Sequence, residues 1–398
     1  VINRMKFIPI NISLNNNYLV FFLILILLSS CSSFDSLKFW SSNESETETG
    51  EPKSLEDFNN KKTLKINWKL SFDGNNTLGN FEPAFSGENL FFAGSNGEIS
   101  SINTKSGKYN WTIQSNQLST GVSAGFGIIV LSDNDGNVLA FDQNDGSVRW
   151  STNVKGEVLA NAAIDAQYVL IKTGSGELIA LDKNTGELKW SYRSKLPTLT
   201  IRGSSSPVIL NNQVYATFDN GRLGVFDLSS GFPVWDGAIS YADGSSELEN
   251  IIDSDSKPII DGNLIYTTNY QGSLSIFDIT QQRVVWREEI SSFNSALLIK
   301  NLIVISDAES NLKSFSQKSF AESWSSSDYY YRDLSNLTSI GGNIIIGDYE
   351  GYIHILDPLN GKTIGRKKIS KKPIKSIISR SNNFYAVDES FNLYSLSI

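Results

Sequence analysis

The chain has 398 residues, 40% hydrophobic and 19% charged, with 22 Phe, 15 Tyr and 8 Trp, enough apolar material for a large core. Its 34 basic against 42 acidic side chains argue against a general nucleic-acid binder, which needs clustered cations to replace counterions. One Cys (Cys31) and one His (His354) exclude a disulfide within the chain and, in practice, a Cys/His metal site; no cofactor is expected.

At the N-terminus, Arg4 and Lys6 precede a polar stretch and the apolar run 19–28. Ten residues are too few to span a bilayer and suit the core of a signal peptide. Met5 is a candidate start, with residues 1–4 an upstream extension. The sequence Leu28-Ser-Ser-Cys31 resembles the lipobox of bacterial lipoproteins, which implies cleavage before Cys31 and acylation of its thiol and new amine. The plainer alternative is a signal peptide followed by an incidental Cys. Several acyl chains make a stable anchor where one is marginal. In that class of lipoproteins Asp after the Cys favours inner-membrane retention, so Ser32 implies export to the outer membrane. Cleavage removes Arg4 and Lys6 and no acid, leaving 32 positive against 42 negative charges, or −10. Residues 1–30 are thus expected to be a signal peptide and 31–62, polar and acidic, a lipidated flexible tether.

From residue 63 onward, Val, Ile, Phe and Tyr alternate in short runs separated by Asn, Ser, Gly and Asp. This is an all-β pattern. The unit Gly176-Glu-Leu-Ile-Ala-Leu-Asp182-Lys-Asn-Thr-Gly186-Glu-Leu-Lys-Trp190 spells out a hairpin: period-two apolar positions, an Asx-Gly turn, a second strand. Its opening Gly recurs as Gly97, Gly136, Gly176, Gly221, Gly272, Ser310, Gly351 and Phe391, at intervals of 38 to 51 residues. A period near 40 with several strands per unit means a propeller blade. The closing Trp recurs as Trp68, Trp111, Trp150, Trp190, Trp235, Trp286 and Trp324, with Gly365 at the eighth place. Trp68 precedes any complete blade, while 374–398 hold only three strands. The strand around Trp68 is therefore expected to complete the last blade and close an eight-bladed ring over 63–398.

The Asp…Gly…Trp repeat resembles that of the quinoprotein-type propellers, which implies that each Trp docks one blade on the next. Such a Trp buries ~150–250 Å², a gross gain of roughly 4–6 kcal/mol as an upper bound. Asp142, Asp182, Asp227, Asp278 and Asp357 are expected to bond the turn backbone. Ser310, Phe320 and Gly365 break the pattern, so blades 6 to 8 are expected to be less regular.

The sharpest departure lies in the connectors. From each Trp position to the next innermost strand the count is 10 to 15 residues, except 17 from Trp190 to Pro207 and 23 from Trp235 to Pro258. Both join an outer strand to the next inner strand, so both emerge on one face, on adjacent blades. Lengthening neighbouring loops on a uniform scaffold is how a site is built. In the first connector Leu199 and Ile201 alternate with Arg202 beside them, the make-up of a protein-interface core; the alternative is packing on the propeller with Arg202 solvated. In the second, Asp253 and Asp255 could cap a turn before Pro258, face a basic partner, or pair with Arg202. These roles stay open.

Together, the lipobox, the acidic tether, the eight blades and the connector Leu199-Thr-Ile-Arg-Gly-Ser-Ser-Ser-Pro207 resemble the BamB family of outer-membrane assembly lipoproteins over essentially the whole chain. The resemblance implies a non-catalytic scaffold on the periplasmic face of a Gram-negative outer membrane. Its partner would be the periplasmic POTRA domains of the barrel protein BamA, and unfolded outer-membrane proteins are further candidates. The family's Leu-x-Leu-Arg-Gly and Asp-x-Asp segments fall here on Leu199, Ile201, Arg202, Asp253 and Asp255, with Ile201 where Leu is usual. Two rivals share the propeller. One is a dehydrogenase using pyrroloquinoline quinone, which this sequence matches poorly because it lacks a vicinal Cys pair and funnel-building insertions. The other is a sensor or adhesion propeller with another protein partner. His354, in the strand pattern Tyr352-Ile-His-Ile-Leu-Asp357, reads as a packed residue more readily than as a catalyst.

Overall fold

The structure is a computed structural model that describes residues 51–75, 79–195, 205–241, 252 and 256–398. Among these, 32 strands pair into eight four-stranded antiparallel sheets, the blades of one propeller ring. Blades 1 to 7 occupy 84–114, 123–153, 163–193, 208–238, 259–288, 297–326 and 338–368, and blade 8 combines 374–397 with Lys65–Ser71.

Blade 3 shows why these residues form these strands. Its middle strands, Tyr168–Lys172 and Glu177–Asp182, are buried almost throughout, because neighbouring blades cover both faces. Its outer strand, Leu188–Arg193, alternates exposed and buried residues. At the turn, Asp182 Oδ1 accepts the amides of Asn184 (2.9 Å) and Thr185 (3.1 Å), and Gly186 takes φ 73°, a region that costs other residues strain. One feature escapes the sequence pattern. Ala180 pairs with Trp190 but Leu181 pairs with Leu188, so Lys189 is bulged out of the ladder. The same register shift immediately precedes Trp68, Trp111, Trp150, Trp235, Trp286, Trp324 and Gly365.

Five of the seven repeat Trp side chains bond to the following blade, the indole N–H donating to the carbonyl after the turn Asp (Asn103 in blade 1): Trp68 to Thr104 (3.0 Å), Trp111 to Gln143 (3.2 Å), Trp150 to Lys183 (2.8 Å), Trp190 to Leu228 (2.9 Å) and Trp324 to Pro358 (2.8 Å). Trp235 and Trp286 instead meet Phe277 and Phe315 of the next blade, at 4.4 and 5.2 Å between ring centroids. Buried apolar clusters run through every junction of neighbouring blades, including that of blade 8 with blade 1, where Phe72 and Leu393 join Leu90 and Phe92. Lys65–Ser71 pairs with Asn392–Ser397 in antiparallel register, so the two ends of the ring share one sheet.

Two expectations are corrected. Blades 6 to 8 keep four strands and the same bulge, because the turn conformation persists where the glycine is lost: Ser310 (φ 69°), Phe320 (φ 57°) and Phe391 (φ 57°) all take the left-handed region. Of the three, blade 8 alone is less regular, with a second register shift between Ile374 and Ser376 in its inner strand pair. Phe320 then stacks on Trp286 at 5.4 Å between ring centroids, in the place where a glycine elsewhere receives the indole. The second concerns the tether. The compact unit that holds the ring begins at Pro52, because residues 53–62 are hydrogen-bonded to blade 7 and the connector before it, contacts that composition cannot register.

Candidate functional site

Leu199, Ile201, Arg202, Asp253 and Asp255 all lie outside the described residues, as does Cys31. What the structure defines is the frame from which the two long connectors spring. The first leaves blade 3 at Ser194, whose amide donates to Gly176 O (2.9 Å), while Asn220 of blade 4 reaches across to Ser194 Oγ (3.2 Å) and Lys195 O (2.8 Å). It returns at Ser205, buried and bonded to Thr217 Oγ1 at 2.7 Å. The second leaves blade 4 through Ile239 and Ser240, whose amides both donate to Gly221 O (2.9 and 3.1 Å). It returns at Ser256, whose Oγ donates to Thr268 O at 2.6 Å. Ile252 of the second connector is 5% exposed, with its Cδ1 2.9 Å from the place of a Cβ on Gly221, so this side chain packs on blade 4.

Around these roots sits a polar and aromatic cluster. Arg222 Nε donates to Asp236 Oδ1 at 2.9 Å, and Tyr192 Oη donates to Asp236 Oδ2 at 3.4 Å. Burial, aided by the Asp236 carboxylate, pushes the Tyr192 hydroxyl up. Arg287 donates to Ile239 O (2.9 Å) and lies 4.6 Å from the centroid of the exposed Tyr241 ring. Both connectors end at the mouth of the central channel, where Ser206, Pro207, Ser256 and Lys257 line a cavity of about 1010 Å³. Glu82, in the same wall, is pushed up by burial, with Lys257 and Asn80 opposing. The roots thus present hydrogen-bonding and aromatic groups on rigid strands beside the channel, a surface suited to binding a partner.

A family model described as outer membrane protein assembly factor BamB matches residues 95–326. The outer membrane protein assembly factor BamB of Alteromonas naphthalenivorans is 30% identical over 363 residues, 86% of this chain and 85% of that protein. The protein of the same name from Escherichia coli K12 is 29% identical over 356 residues, 86% of this chain and 88% of that one. The crystal structure of BamB from Moraxella catarrhalis superposes with a TM-score of 0.78 at 25% identity, covering 84% of this chain and all of that one. The chain belongs to the BamB family.

For a BamB-family ring, the sequence missed one polar centre. In blade 7, Asp348 Oδ2 accepts from Arg332 Nε (3.0 Å) and Nη2 (2.7 Å) and faces His354 Nε2 at 3.0 Å, while Arg366 Nε donates to His354 Nδ1 at 3.2 Å. Arg332 also pairs with Glu350. Asp348, His354 and Arg332 are 0%, 0% and 2% exposed. Burial holds the His354 pKa below its ordinary value, against the pull of Asp348 and with the help of Arg366 and Arg332. The imidazole is therefore neutral, with one nitrogen donating and the other accepting. Burial works to raise Asp348, but hydrogen bonds from His354 and Arg332 hold it low. A signal was present: Asp348 stands three residues before Gly351, as Asp133, Asp307 and Asp388 stand before Gly136, Ser310 and Phe391, and each bonds the turn amides two and four residues on.

Proposed function

We propose that the protein is a non-catalytic scaffold of outer-membrane protein assembly. Its two long connectors seat the periplasmic POTRA domains of a BamA-like barrel protein, and unfolded outer-membrane proteins are a further class of client. Leu199 and Ile201 supply the apolar anchors of that seat and Arg202 its charged contact, with Asp253 and Asp255 alongside. Cys31, freed by removal of residues 1–30, carries the lipid that holds the protein to the periplasmic face of the outer membrane.

The observation that carries this reading is the pairing of the connectors. They spring from adjacent blades on one face, from roots fixed by Asn220, Ser205, Ser240 and Ser256, while the other connectors of the ring stay short. A seat at the edge of a rigid ring lowers the entropy cost of binding. Against an enzyme reading stands His354, whose two nitrogens are both engaged inside blade 7 and out of reach of a substrate.

The test is a titration of the BamA periplasmic domains with folded Arg202→Glu protein. Reversing the charge of a central interface Arg is expected to weaken binding by on the order of tenfold or more. Unchanged affinity would remove the connector from the partner seat.

A further inference from the structure

The outer strand of every blade runs from the turn face of the ring to the connector face, and Lys65–Ser71, the outer strand of blade 8, obeys the same rule. A chain entering that strand directly would come from the turn face. Residues 53–62 do otherwise. Lys61 and Lys62 donate their amides to Ile364 O, the bulged residue of blade 7, at 2.8 and 3.0 Å. Asn60 Oδ1 accepts the Arg366 amide at 2.7 Å, and Arg366 Nη1 donates to Glu56 O at 2.9 Å. Lys53 N donates to Tyr330 O at 2.9 Å, and Arg332 Nη1 donates to Lys53 O at 2.9 Å. Tyr330 and Arg332 belong to the connector between blades 6 and 7. The segment therefore crosses the whole rim of blade 7, from the connector face to the turn face, alongside Thr363–Lys368 and in the opposite sense.

The rim is shaped to receive it. Gly365 stands where other blades carry Trp, and a Cβ there would meet Lys62 O at 2.6 Å. Leu55 packs on the core between blades 6 and 7, and the Phe58 ring lies 4.9 Å from the Arg366 guanidinium. Both gripping arginines are themselves held, Arg332 by Asp348 and Glu350, and Arg366 by His354. A preformed clamp of this kind lets a short segment dock without ordering its receptor.

We infer that residues 53–62 are a docking strap whose seat is the rim of blade 7, and that it moves the exit of the N-terminal segment from the turn face to the connector face, at Pro52. Exit and long connectors then share a face, two to three blades apart. If Cys31 carries the anchor and the connectors carry the partner, the ring presents one face to both. That consequence rests on the reading above, whereas the strap does not.

The experiment reads the strap without any partner. In the full-length chain with Cys31→Ser, a spin label at Ser54 is paired with one at Lys371 on the connector face or at Leu359 on the turn face, and distances are measured by pulsed electron resonance; amide exchange is followed in the unlabelled protein. The expected result is a shorter, narrow distance to position 371, with the amides of Lys53, Lys61 and Lys62 protected. Gly365→Trp, or Leu55→Ala with Phe58→Ala in the strap alone, is expected to broaden the distances and cut protection at these amides by about tenfold or more while ring amides stay protected. Unprotected amides at 61 and 62 in the unsubstituted chain, or a shorter distance to 359, would overturn the inference. The double strap variant keeps the test decisive if Gly365→Trp does not fold.

Discussion

Gly231 lies directly over the indole of Trp190: a Cβ on this glycine would stand 2.5 Å from the ring, whose N–H donates to Leu228 O at 2.9 Å. The contact joins blade 3 to blade 4 and repeats as Gly107 on Trp68, Gly186 on Trp150 and Gly361 on Trp324. Truncating Trp190, 9% exposed, to Ala is expected to cost roughly 3–5 kcal/mol. Gly231→Ala meets both the clash and a φ of 70°, and is expected to cost at least about 1–2 kcal/mol. Denaturant midpoints measure both; an unaltered midpoint for Trp190→Ala would contradict the docking role.

Phe320 occupies the matching glycine position in blade 6 at φ 57° and stacks on Trp286. Replacing it with Ala removes the ring and keeps the left-handed strain, whereas Gly removes both. Phe320→Gly is therefore expected to be more stable than Phe320→Ala by about 1 kcal/mol, although both are less stable than the parent. The reverse order in thermal unfolding would show that the turn carries no strain.

Asp348 serves five donors: the amides of Glu350 and Tyr352, Arg332 twice, and His354. Asp348→Ala leaves a buried guanidinium without its carboxylate and is expected to cost roughly 3–5 kcal/mol. It should also loosen Arg332 and with it the grip on Lys53 O, seen as faster exchange near residue 53. A change below about 1 kcal/mol would mean that Glu350 suffices.

His354 makes stability depend on pH in a defined direction. Its folded pKa is depressed, so the stability it contributes is fully present above the unfolded value of about 6.5 and is lost as pH falls from there toward the folded value. The groups facing it are Asp348, Arg332, Arg366, Tyr329 and Tyr352; burial pushes Tyr329 up to about 12, so it stays neutral. Glu82 acts with the opposite sign, since its raised pKa favours the folded state as pH falls. The denaturant midpoint is expected to drop between pH 7.5 and 5.5, and His354→Gln is expected to shrink the drop. As the sequence has one His, an equal drop in that variant would place the effect elsewhere.

Much of the ring was legible because local chemistry repeats. Asp182, Gly186 and Trp190 each act within a hairpin or on the next one, so their spacing carries the blade count, and the surplus Trp68 carries the closure. The bulge before each Trp was not legible, since register depends on the pairing of two strands and leaves no residue signature: Asn67, Lys189 and Ile364 share no chemistry. Gly365 looked like decay of the repeat. It is instead a requirement of the seam, where the strand pair closing blade 8 has no hairpin turn for a Trp to dock against and Lys62 passes over the site.

By itself the sequence determined the fold class, the number of blades, the place of closure and the two long connectors, because each follows from period, turn chemistry or counting along the chain. Tertiary structure alone decided what depends on the closed ring: that Lys53, Glu56 and Asn60 meet Arg332 and Arg366 hundreds of positions away, that His354 is buried and neutral between Asp348 and Arg366, and that the connector roots line one central cavity. Periodicity reports on neighbours in the chain; closing a ring brings together residues that no period relates.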